Sequence, residues 1–412
     1  MNILFLSENF PPETNAAATR VFERAVYWVR WGHTVTVITQ APNFPRGSLF
    51  PGYRNDWRQV EDMDGIRVVR VKTFISENRG VVRRTLDFLS FGVTGTLAAL
   101  GERKPDVIAA TSPQFFAAVA GWLAGNARKV PFVFELGDLW PLSISAVGAM
   151  RKGRLLDLME KLELRLYRDS AAVAALTHAF KRNLVSRGID AGKIHVVLNG
   201  VDLPRYAPRP REEILAAEWG LAGRFVVGYV GTHGMAHGLM NVLHAAERLA
   251  GEPNIRFLFV GAGAERQMLV DHADERALPN VVFAPPQPKE EMPTVWSLCD
   301  VALVHLKDSP AFAEVIPSKI FEAMAMGLPI LFAAPKGEAS ELIERHGVGL
   351  CVSADDPEAL AQAVLRLAND SEGRARFAQA ALAAAPQHSR ETQAREMLAV
   401  LEGVARDNAC MP

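Results

Sequence analysis

Short runs of apolar and β-branched residues alternate with longer segments of helical periodicity along most of the chain. This alternation is typical of βαβ units, because parallel strands that are covered on both faces read as almost continuous apolar runs. In the first half, strands are predicted at Asn2–Ser7, Thr34–Thr39, Arg67–Lys72, Asp106–Thr111, Phe132–Glu135, Ala171–Leu176 and His195–Leu198.

A stretch rich in proline and arginine, residues 198–212, interrupts this alternation and is typical of an interdomain linker. After it the alternation restarts, which predicts a second doubly wound α/β domain. Its strands are predicted at Phe225–Gly231, Ile255–Val260, Val281–Phe283, Val301–Val304, Ile330–Phe332 and Gly349–Val352.

The end of the chain, from Pro357 to about Arg406, has the composition of two or three helices, and we expect the last to return to the first domain. The predicted organisation is an N-terminal Rossmann-like acceptor domain over residues 1–203, a C-terminal Rossmann-like donor domain over 204–385, and the returning helix over 386–412. A chain of 412 residues is long enough for two such cores.

Composition narrows the function classes. The 45 Lys and Arg residues nearly balance the 46 Asp and Glu residues, which argues against a nucleic-acid partner recognised through a global positive field. Cys299, Cys351 and Cys410 lack zinc or disulfide spacing, so a reducing, cytoplasmic setting is expected. The N-terminus lacks the features of a secretory signal, and the apolar segment 88–101 falls short of the ~20 residues that span a bilayer.

Ligands bind open parallel sheets outside the carboxyl ends of the strands, so the turns that follow strands are the candidate sites. The first is SENFPPETNAAATR, residues 7–20, whose prolines break both helix and strand. It is longer than a strand-to-helix turn requires. We favour an acceptor or phosphate loop here, and a long surface connection is the alternative.

Two glycine-rich turns follow strands in the second half, GYVGTHGMAHGLMN and FLFVGAGAERQ. Glycine lets a ligand approach the backbone, and the next helix can direct its N-terminus at a phosphate. Tight packing turns would explain either segment alone, but two in one domain favour a nucleotide site. The candidate binding residues are Gly231, Thr232, His233, Gly234, His237, Gly261 and Gly263.

The fourth turn is EVIPSKIFEAM, which contains two glutamates eight positions apart. Pro317 and Ser318 suit a helix start, and Lys319 adds a full charge at the positive pole of that helix, which suits a diphosphate. Glu314 lies before the helix and Glu322 one turn inside it, where carboxylates can accept hydrogen bonds from sugar and ribose hydroxyls. A solvated helix start with an ordinary Glu322 ion pair is the alternative.

The shared order of several segments resembles glycosyltransferase family 4, the retaining family with the GT-B fold of two facing Rossmann-like domains. The resemblance covers nearly the whole chain. It rests on SENFPPE, LNGVD, GYVGTHGMAHGL, FLFVGAG, NVVFAPPQPKEEMPTVWSLCDVALVHL and the two spaced glutamates followed by EAMAMGLPIL. The IPSK form and the GTHGMAHGL loop are also similar to bacterial L-fucosamine transferases of surface-polysaccharide assembly.

The resemblance implies transfer, with retention, of a hexose or (deoxy)aminohexose from a nucleoside diphosphate sugar, with UDP favoured, to a glycan or lipid-linked acceptor in surface-polysaccharide or lipopolysaccharide synthesis. No metal or other cofactor is expected. Glu314 would contact the donor sugar, Lys319 the diphosphate and Glu322 the ribose. Many family members carry Arg and Lys in the first glycine-rich loop, where this chain has Thr232, His233 and His237. The negative charge of the diphosphate would then be balanced mainly by Lys319 and by backbone N–H groups.

In the first domain, Asp138 follows a strand and would face the acceptor or the transferred sugar, or else cap the next turn. His178 also follows a strand and would be either a site residue or a structural one. The apolar segment 85–100 could lie on an anionic membrane at the inner face, or simply be a core helix, which we favour. The basic residues that flank it are Arg79, Arg83, Arg84, Arg103 and Lys104, and residues 44–58 are a second candidate acceptor loop.

Two other classes share the expected fold and donor type. A sugar-nucleotide 2-epimerase would need acid and base side chains that the sequence does not assemble in an obvious way. A non-catalytic nucleotide-sugar-binding partner would bind the donor without turnover. Both remain alternatives at this point.

Overall fold

The structure is a computed structural model that describes residues 1–44, 47–75, 81–139 and 153–409. It contains two compact units, Met1–Leu198 with Arg390–Pro412, and Asn199–Ser389. The sequence predicts the two boundaries after residues 203 and 385. In the structure Val201 already belongs to the second unit. Its N–H donates to the carbonyl of His388 at 2.9 Å, and it forms an isolated parallel β-bridge with Ser389.

The first unit is built on an eight-stranded sheet with the order β3-β4-β2-β1-β5-β6-β7-β8. All neighbours are parallel except β3 and β4. The seven predicted strands are confirmed. The strands are β1 Asn2–Leu6, β2 Thr34–Gln40, β3 Arg58–Met63, β4 Ile66–Val71, β5 Val107–Thr111, β6 Phe132–Leu136, β7 Ala172–Ala175 and β8 Ile194–Val196.

Strand β3 is absent from the sequence prediction. Its sequence, RQVEDM, is mostly polar, and it pairs as an edge strand with one neighbour, so it needs no apolar run. The turn that joins it to β4 places Asp64 and Gly65 at φ 53° and 80°, the left-handed region that a tight hairpin requires.

Five helices of the first unit are described between these strands. Helix α1 begins after Asn15, whose side-chain oxygen accepts a hydrogen bond from the N–H of Ala18 at 3.0 Å. The helices are α1 Ala16–Arg30, α2 Val81–Gly101, α3 Phe115–Arg128, α4 Arg154–Asp169 and α5 His178–Ser186.

The second unit is built on a six-stranded parallel sheet with the order β11-β10-β9-β12-β13-β14. All six predicted strands are found. They are β9 Phe225–Val230, β10 Ile255–Val260, β11 Val281–Ala284, β12 Val301–His305, β13 Ile330–Ala333 and β14 Gly349–Val352. Its helices are α6 Glu213–Glu218, α7 Leu239–Arg248, α8 Arg266–Glu275, α9 Met292–Ser297, α10 Lys319–Met326, α11 Glu338–His346, α12 Pro357–Asn369 and α13 Ser371–Ala384.

The last helix, α14 Arg390–Ala409, belongs to the first unit, as the sequence predicts. It packs against α1, where the indole N–H of Trp28 donates to the carbonyl of Ala394 at 2.9 Å. A second tie joins the Arg390 guanidinium to the Glu23 carboxylate at 2.7 Å, and both side chains are buried. The end of the chain thus completes the core of the unit in which the chain begins.

The order of the second sheet reverses direction between β9 and β12. These strands pair at only two positions, Val227 with Val301 and Gly228 with Ala302, whereas β9 pairs with β10 along six. The carboxyl ends of β9 and β12, Val230 and His305, therefore lie beyond the paired region. Such a switch point is where doubly wound sheets bind ligands.

Candidate functional site

Lys319, the first residue of α10, carries a buried ammonium group. Its Nζ has no hydrogen-bond partner among the described residues and lies 3.7 Å from the centroid of the Tyr229 ring. The rest of the side chain is half-buried. Burial lowers the pKa of Lys319 to about 7, and the Glu322 carboxylate opposes that shift. A buried cation with no counter-ion is costly, so this arrangement suits an arriving anion.

Gly231 lets the Lys319 ammonium lie close to the backbone. It follows β9 with φ 141°, and a Cβ on it would lie 2.8 Å from the Nζ of Lys319. The second glycine turn packs directly on this backbone, since a Cβ on Gly261 would lie 1.9 Å from the Gly231 oxygen and one on Gly263 2.2 Å from the His233 oxygen. Backbone contacts therefore require glycine at positions 261 and 263, and at Gly231, where the contact is the flexible end of Lys319, the φ angle favours glycine.

The side chain of His233 lies under the loop, in contact with Tyr229, Phe259 and Phe283 through ring centroids 5.8 to 6.2 Å apart. It is fully buried, and neither ring nitrogen has a hydrogen-bond partner within the described ranges. Burial, then the charges of Arg266 and Lys319, lower its pKa to about 4. Any contact of His233 with a bound donor would therefore come from its backbone.

The rest of the loop is closer to the surface. Thr232 is exposed, and its carbonyl accepts a hydrogen bond from the Tyr229 hydroxyl at 2.8 Å. His237 is half-buried, and burial, followed by the charge of Lys319, lowers its pKa to about 3. Gly234 has no atom closer than 3.5 Å to the position of a Cβ, so packing does not require glycine there.

The two glutamates and the helix start surround Lys319 in sequence and differ in their contacts. Glu314 ends a short 3-10 turn, Pro310–Glu314. Ser318 precedes α10 and makes no side-chain hydrogen bond to the helix start, so the cap that its residue type suggested is not formed. An oxygen of Glu322 accepts a hydrogen bond from the indole N–H of Trp296 at 3.2 Å, and Pro317 accepts one from the N–H of Ile320.

Three residues that shape this site were not predicted from the sequence: Tyr229, Asn241 and His305. Tyr229 and His305 lie at the ends of β9 and β12, and Asn241 is in the first turn of α7. A signal was available for His305, because a histidine that ends an otherwise apolar strand, VALVH, is a polar group at the binding edge of the sheet.

In the first unit, Asp138 follows β6 and is half-buried. Its backbone N–H and that of Gly137 donate to the Ser112 hydroxyl at 3.3 and 2.9 Å, which fixes the turn. The segment that Asp138 would cap, residues 140–152, lies outside the described residues. Asp138 therefore stays a candidate for the acceptor side.

A buried charge cluster lies just before this turn. Glu135 accepts hydrogen bonds from Arg20 at 2.9 Å and from Arg24 at 2.5 Å, and all three side chains are almost fully buried. Arg20 also donates to the Thr111 hydroxyl at 3.0 Å. Although burial alone would raise it, the two guanidinium groups hold the pKa of Glu135 at about 2. This cluster ties α1 to the carboxyl ends of β5 and β6.

The SENFPPE loop is buried except at Pro11 and Pro12, and it is held by Glu13. One Glu13 oxygen accepts from the N–H groups of Asn43 and Phe44 at 2.9 and 2.8 Å, and the other from Asn9 and Phe10. Burial raises the pKa of Glu13 despite these bonds. The glutamate of this segment thus fastens two loops of the first unit to each other.

His178 is exposed at the start of α5 and lines an open cleft of about 710 Å³ with Lys181, His195 and Glu396. The Lys181 ammonium already donates to the Ile194 carbonyl at 2.7 Å. The Lys319 ammonium, in contrast, has no such partner among the described residues.

Helix α2 confirms the predicted segment 85–100 as a helix with one buried face, which includes Phe91 and Ala99. Five apolar side chains point to solvent instead: Leu86, Leu89, Val93, Leu97 and Leu100. Arg79 and the side chains of Arg83 and Arg84 lie outside the described residues, as do residues 45–46 of the segment 44–58. Within the described ranges, no helix is long and apolar enough to cross a membrane, and no group of three or more His, Cys, Asp or Glu side chains could hold a metal ion.

Comparisons with known proteins place both halves of the chain. The family "Glycosyl transferase 4-like domain" matches residues 15–200, and "Glycosyl transferases group 1" matches residues 212–383. The putative colanic acid biosynthesis glycosyl transferase WcaI of Escherichia coli K12 is 26% identical over 87% of this chain and 90% of its own. The GDP-mannose-dependent alpha-mannosyltransferase of Mycobacterium tuberculosis is 28% identical over 92% and 91%.

Solved structures agree on the fold. The sucrose-phosphate synthase of Thermosynechococcus elongatus has a TM-score of 0.80 at 18% identity and covers 98% of this chain and 99% of its own. Anabaena HepE, solved with UDP-glucose, has a TM-score of 0.74 at 21% identity and covers 98% and 100%. The two Rossmann-like units are those of the GT-B fold. The chain therefore belongs to the glycosyltransferases that carry a 4-like domain in the first half and a group 1 domain in the second.

Proposed function

We propose that the second unit binds a nucleoside diphosphate sugar with its diphosphate on Lys319. The observation that carries this proposal is the buried ammonium of Lys319, which has no hydrogen-bond partner in the described structure and lies against Gly231, where a Cβ would come within 2.8 Å of it. That position is at the carboxyl end of β9, next to the switch point of the sheet. A diphosphate would give the ammonium charged hydrogen-bond acceptors, which none of the described residues supplies.

The proposed roles of the neighbouring residues follow the resemblance. Glu314 contacts hydroxyls of the donor sugar, and Glu322 contacts the ribose while it also accepts the Trp296 indole N–H. The backbone of residues 231–234 and the N-terminus of α10 add N–H groups and a positive pole for the phosphates. Where many family members have basic side chains in this loop, this chain has His233 and His237, whose neutral rings add no positive charge for the diphosphate.

We propose transfer with retention of the anomeric configuration. The acceptor hydroxyl oxygen bonds to the anomeric carbon on the face from which the diphosphate departs. The bond from that carbon to the diphosphate oxygen breaks, and the departing oxygen takes the hydroxyl proton. Lys319 stabilises the negative charge that grows on the diphosphate, which is the largest electrostatic change in the reaction. Asp138 is proposed to contact the acceptor or the transferred sugar.

A UDP-sugar is our first choice of donor, and Anabaena HepE, which has the same fold, was solved with UDP-glucose. The curated relatives include GDP-mannose-dependent enzymes, so a GDP-sugar is the competing donor. A 6-deoxy aminohexose such as L-fucosamine is the transferred sugar that the IPSK segment favours. The colanic acid relative supports an acceptor in surface-polysaccharide synthesis, which would include lipopolysaccharide.

We also propose that the first unit contacts an anionic membrane surface, at the inner face, where a lipid-linked acceptor would be presented. The supporting feature is the α2 apolar face, defined as Leu86, Leu89, Val93, Leu97 and Leu100. Val93 and Leu97 are each 62% exposed, and Arg103 and Lys104 are exposed just beyond the end of the helix. An exposed apolar stripe next to basic side chains suits the interface of an anionic bilayer.

A thermal-shift screen of UDP-, GDP- and dTDP-sugars tests the donor proposal directly. A donor present at 100 times its Kd stabilises the protein by about 2.7 kcal/mol, so its melting midpoint rises. Incubation with the selected donor alone then separates the remaining classes. A transferase hydrolyses the donor slowly, an epimerase converts the sugar, and a non-catalytic partner leaves it intact. The donor proposal fails if no nucleotide sugar shifts the midpoint.

A further inference from the structure

His305 ties two elements of the second unit together at the switch point. It is the last residue of β12 and is fully buried. Its Nδ1 lies 2.7 Å from the carbonyl oxygen of His237, in the first glycine-rich loop. Its Nε2 lies 2.8 Å from the side-chain nitrogen of Asn241, in the first turn of α7. One imidazole ring thus contacts both the loop and the helix that follows the loop.

These two partners determine the tautomer of the ring. A carbonyl oxygen only accepts hydrogen bonds, so Nδ1 of His305 must carry the proton. The bare Nε2 then accepts a hydrogen bond from the Asn241 amide. Burial lowers the pKa of His305 to about 4, so the ring is neutral at physiological pH. With both nitrogens used, the orientation of the ring is fixed.

Two more contacts hold the same turn. The backbone N–H of Lys307, two residues beyond β12, donates to the carbonyl of Ala236 at 2.9 Å. Gly238 has φ 56° and leaves room for the ring, since a Cβ there would lie 3.3 Å from the Cε1 of His305. Residues 236–238 are therefore fastened to the end of β12 by one backbone bond and one side-chain bond.

We propose that His305 is a positioning residue of the donor loop. Its Nδ1–H donates a hydrogen bond to the carbonyl of His237. This bond fixes the turn that precedes α7 and the position of the loop beside Lys319. This inference rests on the proposed donor site. A loop that is ordered before the donor arrives loses less conformational freedom on binding, so the tie raises donor affinity without touching the donor.

The tautomer can be measured on the wild-type protein without a ligand. Two-bond ¹H–¹⁵N spectra distinguish Nδ1–H from Nε2–H rings, and the His305→Asn variant assigns the signal by its disappearance. The proposal predicts an Nδ1–H ring that does not titrate between about pH 8 and about pH 5.5. An Nε2–H tautomer, or a ring that titrates near its ordinary pKa, overturns it.

Two variants test the positioning role. His305→Phe keeps a planar ring but removes the Nδ1–H that donates the hydrogen bond. His305→Asn instead places an amide N–H close to the position of Nδ1. Hydrogen exchange of residues 234–241 should speed up in His305→Phe and stay near wild type in His305→Asn. The Kd for UDP, or for GDP if the protein selects it, should rise about five- to tenfold in the first variant alone.

The outcomes separate this inference from the donor proposal. If wild type binds UDP or GDP and His305→Phe binds it equally well, the positioning role is wrong and the donor site stands. If both variants lose affinity and exchange protection equally, the Nδ1–H bond is not the cause and the inference also fails. If wild type binds neither nucleotide, the donor site is wrong, and with it the role of His305 in donor binding.

Discussion

The Nζ of Lys319 lies 3.7 Å from the centroid of the Tyr229 ring, in a position where no described side chain or backbone group accepts a hydrogen bond from it. The ring face gives the ammonium some electrostatic stabilisation, about 0.5 to 2 kcal/mol for such pairs, which is less than an ion pair and hydrogen bonds would supply in a buried site. The ammonium is therefore buried without a hydrogen bond to any described residue, although the Glu322 carboxylate stabilises its charged form. An anionic ligand is the natural complement.

The affinity for a nucleotide sugar should depend on pH through Lys319. Its pKa is lowered to about 7. In the protein without ligand, the Lys319 side chain is therefore fully protonated only below neutral pH and loses its charge as the pH rises. We expect the Kd of the selected nucleotide sugar to increase from about pH 6 to about pH 9, and binding above pH 7 to take up protons. Titration calorimetry in buffers of different ionisation enthalpy measures both quantities.

The control for this prediction is Lys319→Met, which should bind weakly and show no pH dependence over the same range. The sugar nucleotide is the better probe, because the terminal phosphate of a free nucleoside diphosphate itself titrates near pH 6. His233, His237 and His305 have pKa values of about 3 to 4 and stay neutral. A pH dependence that survives in Lys319→Met would show that another group is responsible.

Gly261→Ala should disrupt the packing of the two glycine turns. Gly261 has φ 150°, and the new Cβ would lie 1.9 Å from the Gly231 oxygen, so the backbone beside Lys319 must move. We expect a loss of about 1 to 3 kcal/mol in the free energy of unfolding, with weaker donor binding. Urea unfolding and donor titration measure the two effects.

Gly234→Ala is the matched control in the same region. Its Cβ would meet nothing closer than 3.5 Å, and Gly234 is not at positive φ. The expected change in stability is within about 0.5 kcal/mol. Equal losses in the two variants would mean that the clash at Gly261 is not what fixes the loop.

Glu135→Gln should destabilise the first unit strongly. The substitution leaves the Arg20 and Arg24 guanidinium groups buried without their carboxylate, a change that costs about 3 to 5 kcal/mol. Glu102→Gln is the comparison, because Glu102 pairs with two arginines that are about half exposed and its loss should cost less than about 1 kcal/mol. Urea unfolding of the two variants should show this order, and the reverse order would contradict the assigned energetics.

The same cluster predicts an acid dependence. The pKa of Glu135 is lowered to about 2, so its contribution to stability is complete above its usual pKa of 4.5 and is lost only as the pH falls towards 2. Urea unfolding between about pH 5 and about pH 2.5 should show a steeper decline in the stability of wild type than in that of Glu135→Gln. A parallel decline in both would assign it to other carboxylates.

The α2 apolar face should bind anionic vesicles. Wild type should co-sediment with vesicles that contain phosphatidylglycerol more than with neutral ones, since exposed Arg103 and Lys104 add electrostatic attraction. The double substitution Val93→Glu and Leu97→Glu should abolish the binding. Leu158→Glu, at an equally exposed leucine on α4, should leave it intact. Loss of binding in both would indicate a non-specific effect of added negative charge.

The fold was largely predictable because each buried parallel strand is a short, almost continuous apolar run bounded by turn residues. The edge strand β3 was not, since an antiparallel edge with one neighbour tolerates alternate polar residues. The candidate site could be predicted at its glycines and at Lys319, where backbone geometry and charge restrict the residue type. His305 could have been singled out as the polar end of an apolar strand, but its pairing with Asn241 could not be predicted, because it joins residues 64 positions apart and depends on how β9 and β12 separate beyond their paired region.

The most direct test of the central claim is titration calorimetry with wild type, Lys319→Met and Glu314→Gln. Free UDP, then GDP, is titrated into each protein, followed by the sugar conjugate of the nucleotide that binds. If Lys319 holds the diphosphate, Lys319→Met should weaken binding of the free nucleotide and of its sugar conjugate by about 10- to 100-fold. Glu314→Gln should weaken binding of the conjugate only, because Glu314 is assigned to the sugar. Wild-type affinity for the free nucleotide in Lys319→Met would contradict the account.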